Sequence, residues 1–223
     1  MKRTLLSLML CLTVLAFAMT AMAASKDGIV LSKDGRMATA TKAPAKLEIE
    51  PSQDASLTTI FSNISRYPYA RYFCCYGWTL SGPDSGIGEQ IWLAAPFTPT
   101  ANITATKVEV AAGWFGGTNE LVISIAADSS GLPGSTLASK HVSNLFDFGD
   151  CCTLDVAHFP SGVALTANTQ YWVVMSTDTS DDTFEGAWAI NTTDDRSYTF
   201  AVNEGSGWET ENAFLGGYGV FGQ

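Results

Sequence analysis

Apolar and polar residues alternate along short segments of this chain, and this pattern constrains its fold more than any other feature. In residues 106–110, Val108 and Val110 share one face while Lys107 and Glu109 lie on the other. A period of two is typical of a half-buried strand, because successive strand side chains point to opposite faces. We therefore expect the two valines to face a core and the two charged residues to face solvent.

Two further segments extend this pattern. Leu121, Ile123 and Ile125 alternate with other residues, and Tyr171–Met175 is apolar without interruption, which predicts a central strand covered on both faces. Only 15% of the 223 residues are charged, against about 25% in an average soluble domain, and no capped helical stripe follows residue 57. These features predict an all-β chain, an antiparallel β-sandwich of jelly-roll style with roughly 10 to 12 strands.

Turn signals separate the predicted strands. Ser130–Gly134 contains Pro133 and Gly134 side by side. Proline fixes a negative φ and glycine accepts a positive one, as a type II turn requires. This pair therefore suits a type II turn, and we expect Gly131, Pro133 and Gly134 together to set a hairpin.

The first 23 residues have the layout of a secretory signal peptide. Lys2 and Arg3 precede the uncharged apolar run Leu5–Ala18, and Ala21–Ala23 places small residues at a cleavage position. We expect cleavage after residue 23; the alternative is an uncleaved membrane anchor. The signal peptide predicts an exported protein, extracellular or periplasmic. The segment Gly216–Gln223 has no membrane anchor or sorting sequence, so we expect no membrane insertion after cleavage.

The mature chain divides into two parts. Residues 24–56 are rich in Ala, Lys, Thr and Pro with little apolar periodicity, which predicts a linker or flexible arm. The alternative is a short hairpin added to the edge of the domain. Residues 57–223 contain the strand pattern and are expected to form the β-sandwich.

The net charge of −10 argues against nucleic acid as a partner, because nucleic-acid-binding surfaces neutralise phosphates with basic residues. Two adjacent cysteine pairs, Cys74 with Cys75 and Cys151 with Cys152, remain after cleavage. Disulfides are expected in an oxidising compartment. Bridges between the pairs would close a loop of about 77 residues and stabilise the fold by roughly 4 to 5 kcal/mol. Strained bridges within each pair, or a zinc site, are the alternatives.

Four segments, in order along the chain, are similar to the choice-of-anchor R type of domain of exported bacterial proteins. They are Gln90–Pro99, Asp128–Ser139, Leu165–Val174 and Trp188–Asn191. The resemblance runs from about Leu57 to the end of the chain. It implies an exported all-β domain without catalytic residues.

Three tryptophans beside or near glycines are candidate sugar contacts, because sugar rings stack on aromatic faces; they are Trp78, Trp114 and Trp208. The alternative for each is a position in the core. Asp178, Asp181 and Asp182 follow the central strand as a weak calcium candidate, the alternative being a solvated acidic loop. No other cofactor is expected.

No motif indicates an enzyme. Neither His141 nor His158 has a nucleophile motif near it, and the Gly-x-Ser-x-Gly signature is absent. We expect a non-catalytic binding or envelope-associated module whose partner is an extracellular glycan or a cell-envelope component. The alternatives are a secreted structural or matrix protein without a small ligand, and a secreted enzyme acting on glycosides.

Overall fold

The computed structural model describes residues 28–41, 56–64, 72–150, 153–178, 182–192 and 199–223. In these ranges the chain forms fifteen β-strands and no helix. The strands are β1 (Ile29–Leu31), β2 (Met37–Ala40), β3 (Thr58–Ser62), β4 (Tyr72–Ser81), β5 (Trp92–Phe97), β6 (Ile103–Val110), β7 (Ala112–Gly116), β8 (Glu120–Ser129), β9 (Leu132–Ser143), β10 (Asp155–Leu165), β11 (Tyr171–Ser176), β12 (Glu185–Asn191), β13 (Thr199–Asn203), β14 (Trp208–Asn212) and β15 (Tyr218–Gly222).

The strands form three sheets, and all pairs between them are antiparallel. A five-stranded sheet has the order β1-β2-β4-β12-β7, a four-stranded sheet the order β10-β6-β15-β3, and a six-stranded sheet the order β14-β13-β5-β11-β8-β9. The largest hydrophobic core takes side chains from all three sheets. The predicted antiparallel β-sandwich is confirmed, while its jelly-roll style stays a prediction.

The residues that β8 and β11 bury are those that their apolar patterns predict. Leu121, Ile123 and Ile125 of β8 are fully buried and face the main core. Tyr171–Met175 lies in β11, between β5 and β8, and is buried on both faces. The predictions for these two strands are confirmed.

The expected exposure of two charged residues in β6 is wrong. Lys107 and Glu109 lie on the face opposite to Val108 and Val110, but both are buried. The Lys107 Nζ lies 3.1 Å from a Glu109 carboxylate oxygen and 4.8 Å from the centre of the Phe221 ring. Ion pairing and a cation–π contact compensate the charges, which is the condition under which charged side chains are buried.

Residues 28–41 differ from the flexible arm expected for the segment 24–56. They form the β1–β2 hairpin, and β2 pairs with the edge of β4. This is the alternative that the sequence left open. The signal peptide expected over residues 1–23 and the remainder of the linker lie outside the described residues. In the part of the chain that the structure describes, no helix is long and apolar enough to span a membrane.

The hairpin turn between β8 and β9 lies within the predicted segment Ser130–Gly134, but not at Pro133 and Gly134. Ser129 pairs with Leu132, so the turn consists of Ser130 and Gly131, with φ of 59° and 84°. Two positive φ values in a two-residue loop are typical of a type I′ turn. Pro133 lies inside β9 opposite Asp128, where an edge strand tolerates a residue without an N–H group.

Candidate functional site

An exposed apolar surface lies where the β1–β2 hairpin joins β4. Antiparallel partners share a face, and Val30, Thr39 and Tyr76 are successive partners across β1, β2 and β4. Trp78 lies two residues after Tyr76, on the same face, opposite Met37. We call Val30, Tyr76, Trp78 and Phe214 the aromatic surface.

The members of the aromatic surface are exposed to different degrees. The exposed fractions are 53% for Val30, 46% for Tyr76 and 41% for Phe214, while Trp78 is half-buried. Exposed apolar residues that adjoin one another mark ligand or partner surfaces more often than single ones do.

Trp78 anchors the aromatic surface to the core. Its indole N–H donates a hydrogen bond of 2.7 Å to the carbonyl oxygen of Phe214. Its ring lies 5.1 Å from the ring of Phe200, which belongs to the main core. One part of the indole is therefore held in place, and Phe214 is fixed beside it.

A charged rim borders the aromatic surface. Arg36, just before β2, forms an ion pair with Glu204 at 2.7 Å and a second one with Glu211 of β14. Partial burial alone would lower the pKa of Arg36, but the contacts with Glu211 and Glu204 raise it. These ion pairs connect the β1–β2 hairpin to the β13–β14 hairpin beside the aromatic surface.

The three predicted tryptophans lie in β4, β7 and β14, which are not neighbours in any sheet. The indole N–H of Trp114 donates to the carbonyl oxygen of Gly117 at 3.2 Å, and its ring packs against the main core. Trp208 packs against the small cluster around Trp172. Of the three, Trp78 is the one beside Tyr76, and sequence reasoning missed Tyr76 and Phe214.

The acidic residues that follow β11 lie in different parts of the structure. Asp182 is buried, and its carbonyl oxygen accepts the N–H of Asp84 at 2.9 Å. A carboxylate oxygen of Glu185 accepts the N–H of Gly86 at 2.6 Å. Both residues therefore support the turn after β4, and Asp181 lies outside the described residues.

Asp178 instead joins a different cluster. A ligand atom of Asp178 lies within 4.8 Å of ligand atoms of Glu120 and His141. One Glu120 carboxylate oxygen is 2.8 Å from Nδ1 of His141, and the other accepts the hydroxyl proton of Ser143 at 2.8 Å. The hydrogen bonds to His141 and Ser143 lower the pKa of the Glu120 carboxyl, so this carboxylate is ionised.

This cluster does not have the geometry of a hydrolase triad. Ser143 donates to the Glu120 carboxylate rather than to the imidazole of His141. A triad requires the nucleophile to bond the imidazole that takes its proton. The arrangement suits cation binding better than acyl transfer.

The contact between Glu120 and His141 follows from the sequence only if the hairpin turn is placed correctly. In a regular hairpin closed by Ser130 and Gly131, Glu120 stands opposite His141. Register shifts in β8 and β9 move the direct partner of Glu120 to Ser143 and leave His141 diagonal to it. With a turn at Pro133 and Gly134, Glu120 would not stand opposite His141, so that turn does not indicate their contact.

The cysteines are described in part. The Cys74 sulfur is disulfide-bonded, whereas the thiol of Cys75 is free and half-buried. The expectation that all four cysteines form bridges is therefore wrong at Cys75, because adjacent strand residues point to opposite faces. Cys151 and Cys152 lie outside the described residues, so their pairing stays a prediction.

Comparison with known proteins returned no relationship: no family model, no curated protein and no solved structure matches this chain. The resemblance to the choice-of-anchor R type of domain stays a prediction.

Proposed function

We propose that this protein is an exported, non-catalytic β-sandwich that binds an extracellular or cell-envelope glycan through the aromatic surface. The observations that support this most are the exposure of Tyr76, two residues from the half-buried Trp78 on the same strand face, and of Phe214, whose carbonyl oxygen accepts the Trp78 indole N–H. Aromatic side chains present large apolar faces with few rotatable bonds, so little conformational entropy is lost when a ring stacks on them.

The chemistry of the rim favours a sugar over a purely apolar ligand. Arg36, Glu204 and Glu211 place charged hydrogen-bonding groups at the border of the apolar faces. A pyranose ring has an apolar face edged by hydroxyl groups, which matches this combination. The overall charge of −10 disfavours anionic polymers, so a neutral or amino sugar is the expected class.

A glycan array followed by calorimetric titration of the best ligand tests this proposal. Tyr76→Ala and Phe214→Ala are each expected to weaken binding about tenfold, which corresponds to about 1.4 kcal/mol. Phe146→Ala is the matched control, because Phe146 is 44% exposed but lies in the loop after β9. Binding to no glycan, or equal affinity in all three variants, would contradict the proposal and favour a structural role.

A further inference from the structure

Three neighbouring strands of the six-stranded sheet bring a second set of polar residues together. Val122 of β8 pairs with Ser176 of β11 on one side and with His141 of β9 on the other. Glu120 lies two residues before Val122, and Asp178 lies two residues after Ser176. Antiparallel strands therefore place Glu120, Asp178 and His141 at the same end and on the same face of the sheet.

The donor set has a composition that can hold a metal ion. It offers one imidazole nitrogen and two carboxylates, all within 4.8 Å of one another. Two donors on one tetrahedral ion lie about 3.4 Å apart when each bond is about 2.1 Å. Binding therefore requires the three side chains to adjust until their ligand atoms reach this separation.

Ser143 supports the arrangement from outside the donor set. Its hydroxyl group donates to the second Glu120 oxygen at 2.8 Å, which orients the carboxylate with its first oxygen toward His141. Hydrogen bonds of this kind to a ligating carboxylate are common around bound metals and raise their affinity.

We propose that Glu120, His141 and Asp178 bind Zn²⁺ at this end of the six-stranded sheet. Imidazole nitrogen suits zinc, whereas Ca²⁺ prefers six to eight oxygen ligands. Three protein ligands leave a fourth position open to solvent or to a ligand atom. This site lies on a different sheet from the aromatic surface and is proposed independently of glycan binding.

Thermal unfolding of the purified protein with and without Zn²⁺ tests the site, with titration calorimetry giving the affinity. We expect Zn²⁺ to raise Tm, and His141→Ala and Glu120→Gln to weaken binding at least tenfold. The matched control is His158→Ala, since His158 is an exposed strand histidine outside the cluster and its loss should leave the affinity unchanged.

Co²⁺ absorption spectra separate this site from binding at the free thiol of Cys75. Nitrogen and oxygen ligation gives ligand-field bands alone, whereas a thiolate adds an intense charge-transfer band. Absence of binding, equal affinity in His141→Ala and His158→Ala, or a thiolate band that Cys75→Ala removes would each overturn the proposal. Failure of the glycan experiment would leave it standing.

Discussion

Asp155 is an acidic residue that the fold buries. It begins β10 opposite Val110, is 5% exposed, and its Oδ2 atom has no hydrogen-bond partner among the residues that the structure describes. Burial raises the pKa of this carboxyl from 3.8 to about 7. The side chain is therefore largely protonated at pH 5 and carries a buried charge in alkaline solution.

Asp155→Asn is expected to stabilise the protein in a pH-dependent way. Below pH 3.8 the carboxyl is protonated in both states, so the substitution has little effect. Between pH 3.8 and about 7 the unfolded chain ionises while the folded chain stays protonated, so the stability of the native protein falls as pH rises. Above pH 7 the penalty reaches about 4 kcal/mol.

Urea unfolding of both proteins at pH 4 and pH 8 measures this difference. The two unfolding free energies should be similar at pH 4, and the variant should be more stable at pH 8. A variant that is equally stable or less stable at pH 8 would show that Asp155 is not a buried, uncompensated acid.

Of the aromatic surface, local sequence indicates Trp78 alone. Trp78 is a candidate because it is aromatic and follows a glycine, and the structure places it two residues from the exposed Tyr76 on one face of β4. Tyr76 and Phe214 carried no such local signal. Their exposure depends on the β1–β2 hairpin continuing the sheet and on the Phe214 carbonyl meeting the Trp78 indole, and both are contacts between distant parts of the chain.

At the scale of elements, the β8–β9 hairpin depends on two residues with positive φ. Asparagine followed by glycine is the preferred pair for a type I′ turn, so Ser130→Asn should stabilise the protein by a few tenths of a kcal/mol. Gly131→Ala should destabilise it by about 1 kcal/mol, because an L side chain is strained at a φ of 84°. Space is not the cause, since an added Cβ at Gly131 meets no atom of the described residues within 4 Å.

Chemical denaturation of the two variants beside the parent protein measures these effects. Opposite signs are expected at adjacent positions. If the turn instead lay at Pro133 and Gly134, neither substitution would change stability by more than the error of the measurement.

The strands were predictable where burial alone determines them, and the turn was not. Leu121, Ile123 and Ile125 alternate because one face of β8 meets the core, and this periodicity is visible without any structure. Pro133 gave a false turn signal because β9 is an edge strand, in which a missing N–H costs no hydrogen bond. Whether a strand lies at an edge depends on the order of the whole sheet, which local sequence does not contain.

At the scale of the whole molecule, contacts between distant segments fix how the parts assemble. The β1–β2 hairpin is held by Arg36 against Glu211, 175 residues further along the chain. Composition alone favoured a linker, because the segment has few apolar residues with which to form a core. Pairing with β4 and the ion pairs provide the stabilisation that its own sequence lacks.

The three sheets meet around Tyr218 of β15. Its side chain is fully buried, stacks on Phe61 of β3 at 4.8 Å and contacts the edge of Trp188 in the five-stranded sheet at 5.7 Å. Its hydroxyl donates to the carbonyl oxygen of Pro96 in the six-stranded sheet at 2.7 Å. One side chain thus connects all three sheets, and its hydroxyl group is the polar part of that connection.

Tyr218→Phe removes this hydroxyl while keeping the ring contacts. We expect a loss of about 1 to 3 kcal/mol, because the buried Pro96 carbonyl loses a donor that water does not replace. Tyr76→Phe is the matched control and should change stability by less than about 0.5 kcal/mol, since Tyr76 is on the surface. Urea unfolding should show a lower midpoint for Tyr218→Phe with an unchanged slope; equal midpoints in the two variants would mean that the hydroxyl does not hold the sheets together.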